Sequence, residues 1–137
     1  MVKLEHANLS VTDVDAATRF ITAALPELTI RGEGRDGAGR LWRHVGNQHF
    51  YVALQAVPDR GGREPYGNTG GLNHLGWEVE DVAQVEARLR SAGFTPNMHA
   101  GDHPARRRVY FHDPDGNDWE FVEYLTDDPG ARHSYDR

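Results

Sequence analysis

The chain has 137 residues, with 15 basic and 21 acidic side chains, and its formal charge of −6 argues against nucleic acid as the main partner: no basic stripe is available to neutralise phosphates. The length suits one compact domain with a buried core, and no apolar run approaches the roughly 20 residues that span a bilayer. The absence of cysteine rules out disulfides and thiolate metal sites; with no apolar signal-peptide core at Met1–Glu5, a cytoplasmic location is expected.

In chain order, Leu4 to Val11 alternates as a strand, with His6, Asn8 and Ser10 on one face and Ala7, Leu9 and Val11 on the other. The apolar face is expected to meet a helix, which leaves His6 facing a cavity. Asp13 is a natural N-cap. Val14, Ala17, Phe20, Ile21, Ala24 and Leu25 then keep helical spacing until Pro26 stops the run. A short strand is predicted at Leu28–Arg31, followed by a Gly-rich turn over Gly32–Gly39 and a strand at Leu41–Val45. Gly46-Asn47 signals a hairpin into a strand at His49–Ala56, so the first half reads β-α-β-β-β.

Residues Val57 to Gly71, rich in Gly, Pro and charge, read as a mobile linker. The second half repeats the first. Leu72–Val79 is a strand, Asp81 caps a helix with Gln84 at the capping-box position, and Val82, Val85, Leu89 and Ala92 form its buried stripe up to Gly93. Strands follow at Phe94–Met98 and Arg107–His112, then the turn Asp113-Pro114-Asp115-Gly116-Asn117 and a last strand at Asp118–Leu125. The tail from Thr126 shows no periodicity. The expected organisation is a single domain over 1–137: module one 1–56, linker 57–71, module two 72–125 and an irregular tail 126–137.

The two halves share a motif. His6 and His74 each open an alternating segment that reaches an Asp seven residues on, where helical spacing begins. A single strand His is more often a structural residue than a ligand; a His at the same point of both copies is what a two-fold repeat needs to supply two metal ligands. Glu120, on the strand after the Asp-Pro-Asp-Gly-Asn turn, is placed to supply the third. Two imidazoles and a carboxylate suit Fe(II), Mn, Co, Ni or Zn, with open positions for water or substrate.

The two β-α-β-β-β modules, the His ahead of each Val-x-Asp, and the segment "DPDGNDWEFVE" resemble the vicinal oxygen chelate superfamily over roughly residues 2 to 125. That superfamily includes glyoxalase I, fosfomycin-resistance thiol transferases, extradiol dioxygenases, methylmalonyl-CoA epimerase and bleomycin-resistance proteins. The resemblance implies an α+β fold in which the modules, in pseudo-two-fold arrangement, form a half-open mixed β barrel with flanking helices around a divalent metal. Carried over by position, His6, His74 and Glu120 match three metal ligands, and the chain is expected to be a homodimer. One departure stands out: glyoxalase I draws a carboxylate from the last strand of its first module. Here the inward candidates are Tyr51 and Ala53, with His49 and Gln55 at the ends of the same face. None is an acid, which counts against the glyoxalase hydrogen shift.

Arg108 and Tyr110 are expected on the face of the strand beside that of Glu120, Arg108 to bind an anionic substrate group and Tyr110 to donate a proton. The counter-reading is that Arg108 pairs with a neighbouring acid. Trp42, Trp77 and Trp119 read as core or interface residues. The expected function is that of a metal-dependent lyase, isomerase or dioxygenase acting on a small oxygen-rich molecule. Two alternatives stand beside it. One is a metal-free protein that sequesters a drug or metabolite, against which the intact His-His-Glu set argues. The other is a ring-cleaving extradiol dioxygenase, for which His49, His112 and Tyr110 are the acid–base candidates.

Overall fold

The structure, a computed structural model, describes residues 1–61 and 66–135. The chain is α+β and forms two compact units, Met1–Gly62 and Arg63–Arg137, each a βαβββ module with one four-stranded mixed sheet. Part of the expected linker, residues 62–65, and the end of the expected tail, residues 136–137, lie outside the described residues.

In the first unit β1 (His6–Val11) leads into α1 (Val14–Ala24), followed by β2 (Thr29–Arg35), β3 (Leu41–Gly46) and β4 (Tyr51–Ala56). The sheet order is β1-β4-β3-β2, with β1 parallel to β4 and the remaining pairs antiparallel. Asp13 caps α1 by accepting from the Ala16 amide at 2.9 Å, a contact worth about 1 kcal/mol. The helix buries Val14, Ala17, Phe20, Ile21 and Ala24 and packs on β3 and β4. Burial of Phe20 and Ile21 stabilises the unit by about 1.5–3 kcal/mol each. Arg43 reaches from β3 under the helix, where its guanidinium binds Asp15 at 2.8 Å, Glu33 at 2.7 Å and the Thr18 hydroxyl at 3.0 Å.

The second unit has β5 (His74–Glu78), α2 (Val82–Ser91), β6 (Pro96–His99), β7 (Arg106–His112) and β8 (Asp118–Tyr124), in sheet order β5-β8-β7-β6. Asp81 caps α2 through the Gln84 amide at 3.0 Å, and Val82, Val85 and Leu89 are buried against β7 and β8. Gly93, at φ 94, ends the helix. A four-residue helix, α3 (Pro129–Arg132), interrupts the tail that lacked periodicity, capped by Asp128 through the Ala131 amide. One helical turn is too short for an apolar period to register in the sequence.

Several strand ends differ from expectation, and two of them have a visible local cause. β2 runs on through Gly32 to Arg35, because Gly34 sits under the Trp42 ring, where a Cβ would come within 2.9 Å of it. β4 begins at Tyr51 rather than His49, because Asn47 Oδ1 accepts from the amides of both His49 and Phe50 and holds them in the turn.

Candidate functional site

The strand register places the second unit's functional side chains. β5 runs parallel to β8 with His74 opposite Asp118 and Gly76 opposite Glu120, while β7 sets Tyr110 opposite Glu120 and Arg108 opposite Val122. Residues two apart share a face, so His74, Glu120 and Tyr110 converge. His74 Nε2 lies 3.1 Å from Glu120 Oε2, with both side chains partly buried. The other ring nitrogen, Nδ1, is 2.6 Å from Asn73 Oδ1. The Tyr110 ring meets His74 edge-on at 5.9 Å. Burial, reinforced by a hydrogen bond to Glu120, pushes the Tyr110 phenol up to about 12, so it is a proton donor at neutral pH.

Arg108 is half-buried, and its charge pulls the Tyr110 phenol down against the larger upward effects. It lines a groove of about 640 Å³ together with Val82 and Glu86 of α2, His103, Arg106 and Arg107. Tyr110 is not among that groove's walls. Two residues of strand separate the side chains by roughly 7 Å, enough to place Arg108 at the groove and Tyr110 beside His74.

In the first unit the equivalent strands carry different chemistry. His6 stands opposite Tyr51, and their rings stack at 4.8 Å and 10°. His44 stacks on the same Tyr51 ring at 4.4 Å, and the Arg31 guanidinium lies 4.6 Å from its centroid. The His6 side chain is 44% exposed and its Nδ1 contacts Glu5. Two residues past the partner of the repeat His, the second unit has Glu120; the first has the buried Ala53. Of the other inward candidates, Gln55 bonds Asp36 at 3.1 Å, and His49 is exposed outside β4. His112, opposite Asp118, is also exposed.

Four residues to which the sequence assigns no role stand next to these side chains: Asn73, Tyr66 and Asp118 around His74, and His44 beside Tyr51. Asp118 alternates with Glu120 on β8 and His44 with Trp42 on β3, but alternation alone assigns neither a partner. Among the described residues no group of three or more His, Asp or Glu side chains is gathered so as to hold a metal ion. No helix among the described residues is long and apolar enough to cross a membrane.

Two comparisons place the chain among known proteins. The family model for the Glyoxalase/Bleomycin resistance protein/Dioxygenase superfamily matches residues 3–121. No curated protein matches the chain. Among solved structures, it resembles a glyoxylase/bleomycin resistance protein/dioxygenase domain from Frankia sp. EAN1pec at 24% identity and a TM-score of 0.71, with 98% of this chain and 99% of that one covered. A glyoxalase family protein from Enterococcus faecalis superposes with a TM-score of 0.73 at 20% identity, covering 88% and 97%. The fosfomycin resistance protein FosX from Listeria monocytogenes, in complex with Mn(II) and sulfate, gives 0.69 at 16% identity, covering 90% and 93%. At these identities the structures share the fold, and the family match carries the assignment: the chain belongs to the Glyoxalase/Bleomycin resistance protein/Dioxygenase superfamily.

Proposed function

We propose that the chain is a divalent-metal-dependent enzyme acting on a small oxygen-rich substrate, with His6, His74 and Glu120 as the metal ligands. The observation that carries this reading is the His74–Glu120 pair. His74 Nε2 lies 3.1 Å from a Glu120 carboxylate oxygen, while Nδ1 meets the Asn73 side-chain oxygen. A ring nitrogen and a carboxylate oxygen at that distance can share a proton or, once it is displaced, a cation. A His whose second nitrogen is fixed by an outer acceptor is the usual arrangement of a metal ligand. The donor set of two imidazoles and one carboxylate fits Mn(II), Fe(II), Co(II), Ni(II) or Zn(II).

A bound cation would polarise substrate oxygens and stabilise negative charge that develops on them. The chain's own residues supply the rest. Tyr110 keeps its phenolic proton beside Glu120 and can deliver it to a substrate oxygen. Arg108, two residues away on the same strand face, offers a guanidinium for an anionic substrate group. A variant of the Listeria protein, crystallised with Mn(II) and 1S,2S-dihydroxypropylphosphonic acid, supports both the metal and an oxygen-rich ligand by analogy of fold.

The test is a turnover panel with each metal in turn, offering fosfomycin, catechols and the methylglyoxal–glutathione adduct. Metal-dependent turnover of a substrate with adjacent oxygens, lost on chelation, is expected. The glutathione adduct should react weakly, because Ala53 stands where a second carboxylate would be. Ligand binding that is indifferent to chelator, with no turnover, would replace this reading by that of a sequestering protein.

A further inference from the structure

Tyr66 is the one non-glycine residue with a left-handed backbone among the described residues, at φ 64. An L side chain disfavours that conformation because its Cβ crowds the backbone, so something must hold it. What holds it is Asp118. The Tyr66 hydroxyl donates to Asp118 Oδ2, and Asp118 Oδ1 accepts from Asn97 Nδ2 at 2.7 Å. Asp118 is only 2% exposed, so a buried carboxylate with both oxygens engaged anchors a residue whose own surface is half exposed. The anchored ring stacks on His74, with centroids 6.1 Å apart at 24° and the hydroxyl 3.5 Å from Nδ1.

The first unit carries the same device in another form. The strand residue opposite His6 is Tyr51, whose ring stacks directly on that imidazole. The strand residue opposite His74 is Asp118, which has no ring to offer. The position that bears the tyrosine in one unit therefore bears the tether for a tyrosine in the other.

We propose that Tyr66 is a positioning residue for His74: tethered by Asp118, its ring clamps the imidazole so that Nε2 stays directed at Glu120. The metal part of this inference rests on the reading of His74 as a ligand; the clamp itself does not. Without it, the contacts with Asn73 at Nδ1, Glu120 at Nε2 and the edge of Tyr110 remain, and the ring face that Tyr66 covers is open.

Tyr66→Phe deletes one oxygen and leaves the ring, and Asp118→Asn changes the other end of the tether. In metal-free protein, both variants should keep a cooperative melting transition while the His74 ring signals in a carbon–proton NMR correlation spectrum shift and broaden. Co(II) should bind about 10- to 100-fold more weakly to each, with an altered visible spectrum, as loss of an outer partner of a ligand predicts. Unmoved His74 signals in Tyr66→Phe, with or without a lowered melting temperature, would overturn the clamp. Moved signals with wild-type Co(II) affinity would overturn its role in ligation. A wild-type protein that takes up no Co(II) would remove the metal reading instead, leaving the metal-free spectra to decide the clamp.

Discussion

Deleting the hydroxyl of Tyr110 separates proton donation from packing at a single atom. The phenol is held up to about 12 by burial and by its bond to Glu120, so at neutral pH it is protonated, though a weaker acid than a free phenol. If that proton goes to substrate, Tyr110→Phe should lower kcat by roughly 10²-fold, the lower end for a positioned acid, with metal content unchanged. An unaltered kcat would reduce Tyr110 to a ring packed against His74. At this scale the sequence was informative about His74, Glu120 and Tyr110, because a repeated motif and a two-residue period place them. It was silent on Asn73, Tyr66, Asp118 and His44, whose roles depend on contacts with side chains on other strands or in the connecting segment. The stack of His6 and His44 on Tyr51 needs the pairing of β1, β4 and β3, which alternation along one strand does not contain.

The elements themselves follow local signals where those signals are strong. Both long helices start at the expected Asp caps and end beside the expected stops, Pro26 and Gly93, since capping and backbone restriction are properties of a few adjacent residues. Strand ends are set by partners, and β2 and β4 moved accordingly. The turn before β8 shows how an element delivers a functional residue. Buried Asp113 accepts from the amides of Asp115 and Asn117 at 2.9 Å, from the Asn117 side chain at 2.9 Å and from the Trp119 indole at 3.2 Å, fixing the start of the strand that carries Glu120. Asp113→Asn would place an amide N–H₂ against donors, and should cost about 1–3 kcal/mol of stability by urea unfolding. The pH dependence has a definite sign. Burial raises the Asp113 carboxyl from its ordinary value, so the folded chain holds this proton more tightly than the unfolded one. That contribution is complete below the ordinary aspartate value and fades as pH rises through the raised one. The stability gap between wild type and variant should therefore widen as pH falls from neutral toward the aspartate range; a gap that narrows would contradict it.

At the scale of the whole chain, the duplication is visible in both sequence and fold: two βαβββ modules, each opening its first strand on a histidine. The copies have diverged by register position. Glu120 corresponds to Ala53, Tyr110 to His44 and Asp118 to Tyr51, so one unit keeps the carboxylate and the phenol donor while the other keeps a stacked aromatic face. The shared pattern makes the family legible from the repeat, while the substrate depends on the positions at which the copies differ. The central claim is that His6, His74 and Glu120 together hold the metal. Elemental analysis of chelator-free wild-type protein alongside His6→Ala, His74→Ala and Glu120→Ala tests it most directly. About one divalent ion per chain in wild type and almost none in each variant is the predicted result, and full occupancy in His74→Ala would contradict the account.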